Sequence, residues 1–224
     1  MTDNAAPPAS PQTRLALVTG ASRGLGAALA EALAGRGYHV LAVARTTGGL
    51  EELDDRIQAA GGAATLAPMD VTDPEAMTHL ATSIAARWGS LQVWAHCAVH
   101  AAPLSPAGHV DLKDLDRSIA TNLRATAVLV SLIDPLLRVG GGTALIPDDP
   151  RGGERFFGAY GATKAAQMAL LRSWQAEGER IGPRVLLPEA RPMATATRAR
   201  FFPGEDRAPL ADIRDEAARL VALI

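Results

Sequence analysis

Short aliphatic runs alternate along the chain with longer stretches whose apolar residues recur at helical spacing. The runs are rich in Val, Leu and Ala and are bounded by Gly, Pro or charged residues, which is typical of strands buried on both faces of a sheet. They predict strands at residues 14–20, 38–45, 64–71, 91–97, 143–146 and 184–187.

The stretches between the strands predict helices. An apolar stripe follows the first strand at residues 25–33, and an Asp-Pro helix start predicts another helix at 73–88. Two longer helical stretches cover residues 112–137 and 159–179. Alternating strands and helices predict an α/β fold, namely a Rossmann-type, doubly wound parallel sheet with helices on both faces.

Length and composition indicate one domain. The chain has 224 residues, of which 48% are hydrophobic, and no change in composition divides it. We assign residues 13–224 to this domain, and we expect the last strand of such folds to be absent after residue 187. Residues 1–12 lack both the basic start and the apolar run of a signal peptide, so we expect a mobile N-terminal tail.

Charge and cysteine content exclude several classes of function. The formal net charge is −2, and acidic and basic residues are mixed, so no basic stripe for nucleic acid is expected. Cys97 is the single cysteine, so no internal disulfide can form. No apolar run is long enough for a bilayer span, and we therefore expect a cytoplasmic location without a membrane partner.

A glycine-rich turn joins the first strand to the first helix. Gly20, Gly24 and Gly26 allow a sharp turn that presents backbone amides and a positive helix end to a pyrophosphate. A glycine turn is also found where a strand and a helix are simply connected tightly, so this signal alone leaves both interpretations open.

Two arginines favour NADP as the cofactor. Arg45 ends the second strand, where a carboxylate is expected if the site must hold a free ribose 2′-hydroxyl. Each arginine alone is more often a solvated surface residue, but together Arg45 and Arg23 of the turn are suited to pair with a 2′-phosphate. NADP is therefore expected in preference to NAD.

Four segments in order resemble the short-chain dehydrogenase/reductase family: "TGASRGLG", "MDV" after the third strand, Asn122 in "IATNL", and "YGATK". The resemblance extends from Leu15 to the C-terminus. It implies hydride transfer between a nicotinamide cofactor and a carbonyl or alcohol. It also implies a set of cofactor-binding residues: Gly20, Ser22, Arg23, Gly24, Leu25, Gly26, Arg45, Asp70, Val71 and Thr195.

The same resemblance implies three catalytic residues. Tyr160 is the acid–base residue, and Lys164, four residues later on the same helix face, is expected to lower the tyrosine pKa and to contact the cofactor ribose. Asn122 is implied to hold a proton-relay water. The alternatives are a tyrosine and a lysine that cover an interface helix, and an asparagine that caps or kinks its helix.

The sequence also departs from the family pattern. The catalytic serine is expected at 147, but Pro147 and its neighbours Ile146 and Asp148 have no hydroxyl. The Asn-Asn-Ala-Gly run is replaced by residues 96–99, and the Pro-Gly pair by residues 190–191. Loss of one such hydrogen-bond donor typically lowers the rate by ~10²–10³, so weakened catalysis is expected.

Three further expectations complete the sequence-based interpretation. His96, Cys97, His100 and His109 do not match the spacing of a metal site, so no metal is expected. The family habit of pairing long helices implies a homodimer or homotetramer. The leading function is an NADP-dependent oxidoreductase acting on a small-molecule carbonyl or alcohol, and the alternative is a catalytically impaired NADP-binding sensor or scaffold.

Overall fold

A computed structural model describes residues 13–224, and the expected tail at residues 1–12 lies outside the described part. The described residues form one parallel sheet with the strand order β3-β2-β1-β4-β5-β6. All six predicted strands are present, so the doubly wound α/β prediction is confirmed. The strands are β1 Leu15–Thr19, β2 His39–Ala44, β3 Ala63–Pro68, β4 Val93–His96, β5 Thr143–Leu145 and β6 Arg184–Leu186.

Helices connect the strands and cover both faces of the sheet. They are α1 Gly24–Gly35, α2 Thr47–Ala59, α3 Pro74–Trp88, α4 Leu112–Ser118, α5 Ala125–Gly140, α6 Gly158–Gly178, α7 Ala196–Phe201 and α8 Ile213–Val221. The start of α3 shows how the sequence fixes a boundary. The Asp73 carboxylate accepts hydrogen bonds from the amides of Glu75 and Ala76, and Pro74 occupies the first turn.

Strand residues alternate between two apolar cores, one on each face of the sheet. In β1, Leu15 and Leu17 contribute to the core that contains residues of α3, α5 and α6. Ala16 and Val18 contribute to the opposite core, which contains residues of α1, α2 and α8. This alternation follows from the period of two in a strand, and it explains why β1 is buried throughout.

Two features of this topology determine where a site can form. The chain order reverses between β1 and β4, and in such sheets the connections diverge there and leave a crevice at the carboxyl ends of the strands. After β6 the described chain adds no further strand to the sheet, and α8 packs against α1. Within residues 13–224, no helix has the length and apolar character needed to cross a bilayer.

Candidate active site

An open cleft of about 390 Å³ lies at the reversal point of the sheet. Its walls are the glycine turn, the carboxyl ends of β2 to β4, the loop before α6, and the segment after β6. It therefore brings together the segments that the sequence indicated separately. Its lining includes most of the predicted site residues: Gly20, Ser22, Arg23, Gly24, Leu25, Gly26, Arg45, Asp70, Val71, Tyr160, Lys164 and Thr195.

The glycine turn is packed too closely for side chains at two positions. Gly20 has a φ of +82°, and a Cβ there would lie 2.5 Å from the backbone nitrogen of Ala98 at the end of β4. A Cβ on Gly26 would overlap the carbonyl oxygen of Gly20. The glycines thus serve the tight connection itself, which was the simpler of the two interpretations.

The start of α1 independently supports the other interpretation, in which the glycine turn binds a pyrophosphate. Asp73, Asp111 and Asp212 cap the helices that follow them with carboxylate oxygens. Arg23, at the corresponding position before α1, makes no side-chain capping hydrogen bond, and the first turn of α1 contains no acidic residue. The first amides of a helix have no intrahelical acceptor, so this end fits a bound phosphate.

The opposite side of the turn carries the residues expected to bind the adenosine half of the cofactor. Arg45 is exposed, and its Nη1 lies 3.8 Å from the Asp70 Oδ2. Asp70 is held in place because its Oδ1 accepts hydrogen bonds from the backbone nitrogen and hydroxyl of Thr72. Arg45 therefore stands at the mouth of the cleft with a charge that is only loosely paired.

Tyr160 lies in the first turn of α6, and its side chain is buried. Its hydroxyl donates a hydrogen bond to the Oδ2 of Asp149 at 3.0 Å. Burial and the neighbouring Asp149 and Asp148 carboxylates raise the tyrosine pKa, and Arg151 offsets only part of this effect. The net direction is opposite to the lowering expected from Lys164, because burial and negative charge dominate.

Lys164 is buried on the same face of α6, as its spacing predicted. Its Nζ donates to the side-chain oxygen of Gln167 at 2.7 Å and to the carbonyl oxygen of Pro147 at 3.3 Å. Burial lowers the lysine pKa, while Asp148 and Asp149 act in the opposite direction. The amine is thus fixed by neutral oxygens of its own chain.

Asn122 lies in a π-helical turn, Ile119–Arg124, which interrupts the helix predicted at 112–137. Its amide oxygen accepts from the backbone nitrogen of His100 at 2.7 Å, and its amide nitrogen donates to the carbonyl oxygen of His100 and to the Thr163 hydroxyl. Asn122 therefore ties this wider turn to the segment after β4 and to α6. The kink was one of the two interpretations of this residue.

A buried chain of hydrogen bonds continues from Lys164, and the sequence analysis missed it. The Gln167 amide donates to the hydroxyl of Thr126 at 2.8 Å, and that hydroxyl donates to the carbonyl oxygen of Asn122 at 2.9 Å. The Nε2 of His96 lies 3.0 Å from the same hydroxyl, and its Nδ1 lies 2.7 Å from the Thr19 hydroxyl. The tautomer of His96 decides which partner donates in these two contacts.

The same environment surrounds His96 and Cys97, the first two residues that replace the Asn-Asn-Ala-Gly run. Burial lowers the pKa of His96 to about 3, so the imidazole is neutral at physiological pH. Burial raises the pKa of the Cys97 thiol to about 12. Both groups are thus uncharged packing elements at the end of β4. Within residues 13–224, no three His, Cys, Asp or Glu side chains are grouped as a metal site requires.

An aromatic cluster covers the end of the cleft that contains Tyr160. The Phe201 ring lies 4.8 Å from the Tyr160 ring and 5.0 Å from the Phe157 ring. Phe201 belongs to α7, which is capped by the Thr195 hydroxyl through the backbone nitrogen of Arg198. The helix therefore places an apolar wall directly beside the tyrosine.

The segment after β6 is held by α8. The buried carboxylate of Glu216 accepts from the backbone nitrogen of Arg191 at 3.0 Å and from its guanidinium group, and it also pairs with Arg219. These donors lower the Glu216 pKa to about 2, although burial acts in the opposite direction. Arg191 occupies the expected glycine position, and this ionic cluster fixes the backbone there instead.

Comparison with known proteins identifies the family to which the chain belongs. A sequence model of the short chain dehydrogenase family matches residues 14–206. D-threitol dehydrogenase from Mycolicibacterium smegmatis is 32% identical over 133 residues, which make up 59% of this chain and 51% of that protein. The chain thus spans about half the length of this curated relative.

Solved structures extend the likeness over almost the whole chain. A metagenomic short-chain oxidoreductase in complex with NADP is 26% identical, with a TM-score of 0.80, and the match covers 95% of this chain and 90% of that one. A 7α-hydroxysteroid dehydrogenase complexed with NADH and 7-oxo glycochenodeoxycholic acid has a TM-score of 0.83 at 22% identity, over 94% and 86% of the two chains, and shares the fold. Together with the sequence match over residues 14–206, these results establish that the chain belongs to the short-chain dehydrogenase family, whose members bind nicotinamide cofactors.

Proposed function

We propose that this protein is an NADP-dependent oxidoreductase that transfers hydride between the nicotinamide and a small carbonyl or alcohol compound. The observation that carries the proposal is that Tyr160 and Lys164 line the same cleft as the uncapped start of α1. A phosphate at that helix end would place the rest of a dinucleotide along the cleft toward the tyrosine.

Each of these residues has a role that follows from its position in or beside the cleft. When bound, the nicotinamide supplies or accepts the hydride. Tyr160 exchanges the proton with the substrate oxygen, and the fixed amine of Lys164 is placed to hold a ribose hydroxyl. Asn122 supports the arrangement by holding the π-helical turn against α6.

Arg45 supports NADP as the preferred cofactor. Its charge is exposed at the end of β2 and is only loosely paired with Asp70. Cofactor identity differs among proteins of this fold, since one structural neighbour contains NADP and another NADH. The preference therefore rests on Arg45, with Arg23 of the turn as a second cation for the 2′-phosphate.

Weak activity is part of the proposal. Pro147 takes the serine position and offers only its carbonyl, which accepts from Lys164. The Tyr160 hydroxyl is directed at a carboxylate, so the oxyanion of a reacting carbonyl receives less help from hydrogen-bond donors. The contact between Tyr160 and Asp149 also favours a second candidate, a cofactor-binding sensor or scaffold with an idle site.

The expected partners follow from the family and from exposed surface. We propose a homodimer or homotetramer in the cytoplasm, formed through α5 and α6, where Ala165 and Ala169 are exposed small residues and Val139 is an exposed apolar one. Light scattering at micromolar concentration tests this arrangement, and a monomer contradicts it.

A carbonyl and alcohol panel with wild type and Tyr160→Phe tests the catalytic proposal. We expect slow NADPH-dependent turnover that the substitution abolishes, while calorimetric affinity for NADPH changes less than threefold. Cofactor binding without any Tyr160-dependent turnover would favour the sensor or scaffold.

A further inference from the structure

Asp149 occupies the place beside the catalytic tyrosine where a hydroxyl donor was expected. Its Oδ2 accepts the Tyr160 hydroxyl proton at 3.0 Å, and its Oδ1 accepts from the Arg151 Nε at 2.9 Å. A phenol has one proton, so the proton of Tyr160 is directed to Asp149 and the phenol oxygen retains lone pairs for another donor.

The loop that carries Asp149 is fixed against α6. Arg151 donates through Nη1 to both oxygens of Glu154, at 2.9 and 3.0 Å. Gly161, in the first turn of α6, lets the Arg151 backbone approach, since a Cβ there would overlap the Arg151 carbonyl oxygen. The contact between Asp149 and Tyr160 is therefore built by the packing of the loop on the helix.

This arrangement restricts how the tyrosine can act. Burial and the Asp148 and Asp149 charges raise the Tyr160 pKa, so a free phenolate is unfavourable at neutral pH. A neutral phenol is a poor base by itself, but it can accept one proton while it releases another to a neighbouring carboxylate. Tyr160 is positioned for such a transfer.

We propose that Asp149 is a further catalytic residue, which exchanges a proton with the substrate through the hydroxyl of Tyr160. The proposal rests on the proposed oxidoreductase function. In alcohol oxidation, the C–H electron pair leaves as hydride and reduces NADP⁺, the alcohol O–H proton passes to the Tyr160 oxygen, and the phenol proton passes to Asp149. The alcohol becomes a carbonyl, and carbonyl reduction by NADPH follows the same transfers in reverse.

Several charged groups surround this carboxylate. Arg151 contacts it directly and is shared with Glu154 on the same loop. The charge of Asp149 acts to raise the pKa of Lys164 on α6, against the effect of burial. Asp148 precedes Asp149 in the chain, and its Oδ2 lies 4.0 Å from the Nη2 of Arg172 on α6. Asp148 is thus a matched carboxylate that makes no hydrogen bond to Tyr160.

The first test needs neither cofactor nor turnover. The sequence contains two tyrosines, so the Cζ resonances of ¹³C-labelled Tyr38 and Tyr160 can be assigned with Tyr38→Phe. We expect the Tyr160 signal to show an inflection when the protein is titrated with acid, because protonation of Asp149 removes the acceptor of the Tyr160 hydroxyl proton. Asp149→Asn removes this inflection and Asp148→Asn retains it. An inflection that persists in Asp149→Asn overturns the proposal.

The second test is the pH dependence of NADP⁺-dependent alcohol oxidation. Wild type and Asp148→Asn should share the same rising limb of kcat/KM, because both retain the Asp149 carboxylate that accepts the phenol proton. In Asp149→Asn the tyrosine itself must ionise, so the limb moves by more than two pH units toward alkaline pH. The pH position of the limb is the diagnostic quantity. The ratio of alcohol oxidation to carbonyl reduction is not, because the overall equilibrium fixes that ratio for every variant at any one pH.

The outcomes separate this proposal from the one on which it rests. Tyr160-dependent turnover whose limb is the same in wild type and Asp149→Asn overturns the role of Asp149 alone. Absence of Tyr160-dependent turnover overturns both proposals, even where the NMR inflection is present. A limb that moves in Asp149→Asn and stays in Asp148→Asn supports the role.

Discussion

The ionic cluster on Glu216 yields a quantitative prediction for Glu216→Gln. The carboxylate is fully buried and accepts hydrogen bonds from Arg191 and Arg219, which lower its pKa from 4.5 to about 2. At about 1.4 kcal/mol per pKa unit, the ionised form stabilises the fold by about 3 kcal/mol. Both arginines are partly exposed, so solvent screening makes this an upper value.

The expected effect is large enough to measure by thermal unfolding. For a chain of this length, about 3 kcal/mol corresponds to a fall in Tm of roughly 6–12 °C at pH 7. Glu31→Gln is the matched control, because Glu31 is also paired with two arginines, Arg56 and Arg214, but at the surface. The control should lose less than about 1 kcal/mol.

The pH dependence of this Tm difference tests whether the stabilisation is electrostatic. A carboxyl whose pKa is depressed in the folded state contributes its full stability above the unfolded pKa and loses it as the pH falls through the folded pKa. The Tm difference between wild type and Glu216→Gln should therefore be constant above about pH 5 and shrink between pH 4.5 and about 2. An equal difference at pH 7 and pH 3 would refute the electrostatic argument.

Three further substitutions test the cofactor end of the cleft and the local rules behind the fold. Arg45→Asp should narrow or reverse a preference for NADPH over NADH, which calorimetry with both cofactors measures, and equal wild-type affinities would contradict the assignment. Gly26→Ala should weaken NADPH binding at least tenfold because its Cβ overlaps the Gly20 carbonyl, whereas Gly48→Ala, where a Cβ meets nothing within 4 Å, should bind normally. Asp73→Ala should lower the free energy of unfolding in urea by about 1 kcal/mol and leave NADPH affinity unchanged, since the α3 cap lies outside the cleft.

The sequence predicted the sheet because parallel strands leave a strong signal. Each is a nearly continuous aliphatic run, and the glycine turn marks the crossover into α1. Neither α2 nor α8 was among the predicted helices, although both carry usable signals. Leu50, Leu53 and Ile57 have helical spacing in α2, and Asp212 caps α8. The six-residue α7 is too short for periodicity to reveal it.

The candidate site was predictable only as far as local spacing determines it. Tyr160 and Lys164 lie on one face because they are four residues apart on a helix. Their pKa directions depend on burial and on the charges of the loop before α6, chiefly Asp148 and Asp149, and helical spacing includes neither. The contact between Lys164 and Gln167 is local, because the two residues are three apart on α6. The links of Thr126 to Gln167 and to His96 become visible only when β4, α5 and α6 pack together.

The carboxylate on Tyr160 shows why counting positions within a motif was insufficient. A count back from the tyrosine points to Pro147 and its immediate neighbours only if the loop before α6 has the same conformation as in the family. In this chain Gly161 admits the Arg151 backbone against α6, and the pairing of Arg151 with Glu154 closes the loop. That local geometry brings Asp149, two residues beyond the expected position, to the hydroxyl. A hydrogen-bond acceptor thus stands where a donor was expected, so the chemistry of the site must be argued from the contact rather than from the motif.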